Sequence, residues 1–182
     1  MTANQSSWPR QWLMTDERIG NRLWDAIDRL PIGNGGIVFR HYSLDSDERA
    51  ILGARITKAA AERELVLAVA GSALLAERLG AALLHNPDRP AGLPISLSIH
   101  DEAAATRSRQ LDAALAFVSP VYGTRSHPGA PSLGIDRAAI LARQLGCPAI
   151  ALGGMNSERF DALEQAYPDL FYGFAGIDCW LE

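Results

Sequence analysis

Short apolar runs of strand length alternate along the chain with amphipathic segments of helix length. The first run, Trp12-Leu13-Met14-Thr15, precedes a helical pattern over residues 18–30. Gly33-Asn34-Gly35-Gly36 reads as a turn into a second strand over 37–42. Asp45 or Ser46 is placed to cap the next helix, with Ile51, Ile56 and the alanines after Lys58 on its buried face. A third strand is predicted over 65–70, a helix from Ser72 that stops at Gly80, and a fourth strand over 81–84. Only the polar, Pro-rich HNPDRPAGLP separates that strand from a fifth over 95–99. A helix over 101–111, a strand over 114–121 and a long loop follow. The pattern closes with a helix over 135–145, strands over 149–152 and 171–175, and a helix over 157–166 between them.

Alternation of this kind implies a parallel sheet with right-handed crossovers. Eight strands predict an α/β fold of the closed (β/α)₈ type, a TIM barrel, with an open flavodoxin-like sheet as the alternative. Such barrels typically run to about 250 residues, and this chain has 182. The loops must therefore be minimal, and the helix between strands four and five is reduced or absent. Residues 1–11 read as a flexible N-terminal segment and 12–182 as a single domain.

Composition narrows the function classes. With 48% hydrophobic and 21% charged residues and a net charge of −4, the chain can bury a substantial core and carries no global basic charge for nucleic acid. Its most apolar stretch, 65–84, is interrupted by Gly71, Glu77 and Arg78 and cannot be an unbroken membrane span. The N-terminal MTANQSSWPRQ lacks the apolar centre of a secretory signal, so a cytoplasmic protein is expected. Cys147 and Cys179 lie at the edges of apolar runs and read as buried thiols. Lys58 is the sole lysine beside sixteen arginines, which leaves almost no room for lysine-based chemistry.

Ligand sites of parallel α/β folds lie at the C-terminal ends of the strands, and His41, His85, His100 and His127 all fall there in this reading. A metal site built from several of them would be chemically sound, but no HxH or HExxH spacing supports it. Arg40 is placed inside an apolar strand, with Val38 and Tyr42 on its own face. A buried guanidinium needs a carboxylate or an anionic ligand, and both readings stand. Ser96, Ser98 and His100 share one face of strand five. The long loop over 119–129 combines glycines, hydroxyls, a cation and a histidine, as a substrate-covering loop does. Gly153-Gly154, directly after strand seven, allows backbone N–H groups to approach an anion, and Gly176-Ile177 after strand eight can complete the site. Asp178 would repel a dianion there, or cap a short helix instead.

Taken in order, WLMTD, IVFRHY, SLSIHDEA, VSPVYGTRSHPGAPSLG and CPAIALGGM resemble the thiamine phosphate synthase and TenI (thiazole tautomerase) family over about residues 12–178. The resemblance implies a compact (β/α)₈ barrel of thiamine biosynthesis. The synthase joins a pyrimidine diphosphate to a thiazole phosphate with loss of pyrophosphate, assisted by Mg²⁺. By position, Arg40 matches the pyrophosphate-binding arginine and Ser98 the serine near the pyrimidine. Thr124 and Ser126 match paired hydroxyls, His127 stands where the family has a lysine, and Gly153, Gly154, Gly176 and Ile177 match the phosphate site. The Asn-Asp pair expected after strand three is Ala70-Gly71, and Asp88 is the candidate for the second metal carboxylate. Mg²⁺ therefore stays open as a cofactor without its usual ligands, and no organic cofactor is expected. His127 and His100 are the candidate acid/base residues of a divergent synthase or a tautomerase, histidine titrating near neutrality. A noncatalytic ligand-binding or regulatory barrel is the reading from another class. Expected partners are small phosphorylated thiazole or pyrimidine ligands and, at most, a second copy of the chain; neither nucleic acid nor membrane is expected.

Overall fold

The computed structural model describes residues 8–87, 89, 91–124, 129 and 131–181. Eight parallel strands close into a barrel in chain order: β1 (Gln11–Met14), β2 (Gly35–Phe39), β3 (Val66–Ala70), β4 (Leu83–His85), β5 (Ile95–Ile99), β6 (Leu115–Val118), β7 (Ala149–Leu152) and β8 (Gly173–Gly176). Parallel pairing of β1 with β8 seals it, Trp12 lying opposite Ala175. Six helices surround the strands: α1 (Arg22–Arg29), α2 (Ser46–Glu62), α3 (Ala73–Arg78), α4 (Glu102–Gln110), α5 (Gly134–Ala142) and α6 (Ser157–Ala166). Between β4 and β5 the described residues form no helix. The chain turns back there in a short loop, held where Asn86 N–H donates to Ser96 O at 2.8 Å.

The helix starts follow from capping. Asp45 accepts from the N–H groups of Asp47 and Glu48, and Glu48 reaches back to Asp45 N–H, a full capping box. Ser72, Asp101 and Asn156 cap α3, α4 and α6 through their side-chain oxygens. On α2 the buried positions are Ala50, Gly53, Ile56 and Ala60. Ile51, expected among them, is 66% exposed. The small residues carry the packed face, because a Cβ on Gly53 would sit 2.5 Å from Leu79 Cδ1.

Inside the barrel Trp12 meets Phe117 edge-on at 5.6 Å, and Phe117 meets His85 edge-on at 5.3 Å. Gly36 lies flat beneath the Trp12 ring, where any Cβ would collide with it. Gly35 and Gly36, read as a turn, belong to β2, and the strand ends at Phe39. Arg40, His41 and Tyr42 thus follow the strand instead of continuing it. Further boundaries shift: β4 begins at Leu83, β6 ends at Val118 and β8 begins at Gly173. Residues 8–11, assigned by sequence to a segment before the barrel, join it: Gln11 opens β1, Phe174 N–H donates to Arg10 O, and Tyr172 OH donates to Trp8 O. Among the described residues no helix is long and apolar enough to cross a membrane.

Candidate functional site

The C-terminal ends of the strands surround a cavity of about 950 Å³. Arg40 enters it from the end of β2, Asn86 from β4, Ser98 and His100 from β5, and Thr124 from the loop after β6. Gly153, Gly154 and Arg159 form the β7–α6 side, and Gly176, Ile177 and Asp178 the side after β8. The sequence-selected Arg40, Ser98, His100, Thr124, Gly153, Gly154, Gly176 and Ile177 therefore share one cavity. Ser126, His127 and Asp88 lie outside the described residues.

At the β2 end, Arg40 Nε donates to Thr15 O at 3.0 Å and Nη2 lies 3.7 Å from Asp16 Oδ2. Burial works against the guanidinium charge, while Asp16 and Glu17 favour it. The carboxylate and the cavity are both present, so the two sequence readings of Arg40 coexist. Arg40 N–H donates to Thr15 Oγ1, which leaves the Thr15 hydroxyl proton for His41 Nδ1 at 3.0 Å. His41 is buried in this contact and does not line the cavity. Burial lowers its pKa, with Glu17 and Asp16 pulling the other way.

His85 is likewise a residue of the barrel interior, only 1% exposed. Ser98 N–H donates to Asn86 Oδ1 at 2.8 Å, which fixes the amide and turns Asn86 Nδ2 toward Ser98 Oγ at 2.9 Å and His85 Nε2 at 3.2 Å. An amide nitrogen donates, so His85 Nε2 accepts and its proton sits on Nδ1, 3.0 Å from Ser96 Oγ. Burial, reinforced by the charge of Arg40, pushes the His85 pKa down to about 3 and keeps the ring neutral. The network holds Ser98 Oγ as an acceptor from Asn86, with His85 Nε2 at 3.4 Å as the acceptor within reach of its hydroxyl proton. Asn86, with φ +43°, was missed by sequence reasoning. Asparagine tolerates that backbone region, and the only signal was its place directly after a strand.

His100 donates from Nδ1 to Ser119 O at 2.7 Å, because a carbonyl can only accept. Nε2 is then the basic nitrogen of this cavity-lining ring. At the opposite end the β7 turn is made of backbone. Gly153 and Gly154 have φ of +97° and +59°. Added Cβ atoms would stand 2.7 Å from Pro120 Cα and 2.6 Å from Gly123 O. Tyr122 N–H donates to Gly153 O at 3.0 Å, tying the loop after β6 to this turn. Asp178 does not cap a helix: Ile177 holds the cap position, and Asp178 lies in the first turn of a 3-10 segment, Asp178–Trp180.

Arg159 is the second residue that sequence reasoning missed. The segment Asn156-Ser157-Glu158-Arg159 carries a helix-start signal, and that signal puts the third helical residue beside the glycine turn. The two thiols, read as buried, are half-buried. Burial raises the Cys147 thiol to about 11, away from the reactive thiolate.

A Mg²⁺ ion requires oxygen ligands, carboxylates above all. The described residues at the ends of β3 and β4 are Ala70, Gly71, His85 and Asn86, and the described carboxylate of the cavity wall is Asp178. No group of three or more His, Cys, Asp or Glu suited to a metal occurs among the described residues. This donor set does not fit a Mg²⁺ cage.

A family model described as thiamine monophosphate synthase matches residues 13–169. The chain is 30% identical over 88 residues to the putative thiamine-phosphate synthase 2 of Aquifex aeolicus, a match taking in 48% of this chain and 46% of that protein, about half the length of each. It superposes on a thiamine phosphate pyrophosphorylase from Pyrococcus furiosus with a TM-score of 0.78 at 16% identity, over 95% of this chain and 87% of that one. FabK from Thermotoga maritima superposes with a TM-score of 0.69 at 12% identity, over 95% of this chain and 59% of that one. At such identities the structural likeness speaks for the fold alone.

Proposed function

Because the chain belongs to the thiamine monophosphate synthase family, we propose that it acts in thiamine biosynthesis as a divergent synthase-like protein that binds a thiazole phosphate at the C-terminal face of the barrel. The carrying observation is the Gly153-Gly154 turn, which faces the cavity and is fenced by Pro120 and Gly123 so that no side chain can replace its backbone. Backbone N–H groups of a glycine turn leading into a helix suit a phosphate, and this turn leads into α6. Gly176 and Ile177 face the same end of the cavity. A pyrimidine diphosphate would take the other end, its diphosphate at Arg40 and its ring beside Ser98.

In that arrangement the thiazole nitrogen supplies the electron pair of the new C–N bond, and the C–O bond to the diphosphate breaks with its pair leaving on oxygen. Arg40 stabilises that departing charge, and the Asn86–Ser98 network orients the pyrimidine. Mg²⁺ would supply further charge compensation in relatives that hold it; the donor set among the described residues does not fit, and no step is assigned to it.

A second reading is favoured by His100. Its Nδ1 donates to Ser119 O, so Nε2 is the ring nitrogen left to exchange a proton with a thiazole phosphate in the cavity. The test is incubation of the pure protein with both phosphorylated substrates across a Mg²⁺ series, with mass spectrometry for thiamine phosphate. Product is expected. Absence of product at every Mg²⁺ concentration, with a thermal shift still caused by the thiazole phosphate, contradicts the synthase. Deuterium exchange into the thiazole that His100→Ala abolishes would then establish the tautomerase, and no exchange at all a binding role.

A further inference from the structure

The phosphate end of the cavity needs a cation. Backbone N–H groups contribute partial charges only, Asp178 contributes a negative one, and the sole lysine, Lys58, is exposed on α2 beside Glu62 at 3.9 Å. We propose that Arg159 is the phosphate-recognising cation of this end and sets the preference for phosphorylated over hydroxyl ligands; the proposal rests on the phosphate reading of the Gly153-Gly154 turn.

Three elements hold Arg159 in place. Asn156 Oδ1 accepts its backbone N–H at 2.9 Å, fixing it in the first turn of α6. From there a helical side chain leans back toward the N-terminus, over the glycine turn. Arg159 Nη1 donates to Gly154 O, and the guanidinium carbon lies 4.9 Å from the Tyr122 ring centroid. Glycine turn, α6 and the loop after β6 thus converge on one guanidinium, which lines the cavity. A guanidinium has five N–H donors in a planar fork, and one is bonded to Gly154. The others have no recorded protein partner among the described residues, and the fork geometry matches the oxygens of a phosphate. Asp178 lines the same cavity and would oppose a dianion, so a cation is needed at this end. Arg40 and Arg159 then stand on different sides of the cavity, one for each anionic ligand of the proposed reaction.

The test compares hydroxyethylthiazole phosphate with its alcohol by calorimetric titration on the wild type, Arg159→Gln and Arg159→Lys. Glutamine keeps a donor and removes the charge; lysine keeps the charge and removes the fork. Arg159→Gln is expected to weaken the phosphate about 10- to 100-fold, to leave the alcohol unchanged, and to flatten the salt dependence of phosphate binding. Arg159→Lys is expected to recover part of the loss. Equal weakening of phosphate and alcohol, or a phosphate preference that survives in Arg159→Gln, would make Arg159 a structural residue and overturn the proposal while leaving the phosphate reading intact. A wild type without phosphate preference overturns that reading, and this proposal with it. Should Arg159→Gln not fold, phenylglyoxal modification of the wild type decides: inorganic phosphate is expected to shield the Arg159 peptide, and equal labelling with and without phosphate contradicts the assignment.

Discussion

At the β7–β8 end of the cavity the proposed ligand contacts are made by backbone and a single side chain, Arg159, whereas at the β2–β5 end they are made by side chains alone. The glycine turn is surrounded on both sides by Pro120 and Gly123, so its shape is imposed by packing and leaves almost no freedom for substitution. The other end consists of the side chains of Arg40, Asn86, Ser98 and His100. The sequence resemblance places expected family positions at both ends: Gly153-Gly154 and Gly176-Ile177 at the first, Arg40 and Ser98 at the second, with Ala70-Gly71 where it expects Asn-Asp. A site made of backbone is shaped by packing, whereas a side-chain site changes with each substitution.

The sharpest way to break this contrast is Gly153→Ala. A methyl group 2.7 Å from Pro120 Cα, at a φ that L-residues avoid, should cost about 3 kcal/mol or more by urea denaturation. A stable, phosphate-binding Gly153→Ala protein would show that the turn is not sterically fixed. Arg40→Ala should lower affinity for the pyrimidine diphosphate by about 100-fold in titration calorimetry and change thiazole phosphate affinity little. Equal losses for both ligands would erase the separation into two ends.

Acid should expose the side-chain end. His85 is held near 3 in the fold, while an unfolded histidine titrates near 6.5, so below about 6.5 the unfolded chain takes up a proton that the folded one refuses. The stability this group contributes is complete above 6.5 and is lost progressively as pH falls toward 3, by up to about 1.4 kcal/mol per pH unit. Urea titrations at several pH values should show His85→Gln with a shallower acid slope than the wild type; identical slopes would place the proton elsewhere. Asn86→Ala should cost about 1–2 kcal/mol by leaving Ser98 N–H without its partner and His85 Nε2 with Ser98 Oγ at 3.4 Å alone. Smallest of all, Ile51→Glu should change stability by less than about 0.5 kcal/mol, since the side chain is exposed.

The barrel was legible because the strands are apolar runs and because α2, α3, α4 and α6 each follow a polar residue that caps them. What was not legible depends on neighbours distant in sequence. Glycine ordinarily ends strands, so Gly35-Gly36 reads as a turn; the Trp12 ring, from another strand, needs Gly36 flat beneath it. The buried face of α2 was misassigned at Ile51 because its contacts run through Ala50, Gly53 and Ala60, whose small side chains weaken the apolar periodicity. Arg40, Ser98, His100 and the glycine pairs were legible from their place at strand ends. Asn86 and Arg159 were not, since an asparagine after a strand and an arginine in a helix gain a role only from Ser98 and His85 in one case, and Gly154 and Tyr122 in the other.

A crystal structure of the protein soaked with hydroxyethylthiazole phosphate tests the central claim most directly. The phosphate is predicted on the Gly153 and Gly154 N–H groups, with the thiazole ring directed into the cavity toward Ser98 and His100. A phosphate seated at Arg40 with the glycine turn empty, or no ligand in the cavity at saturating concentration, would contradict the account.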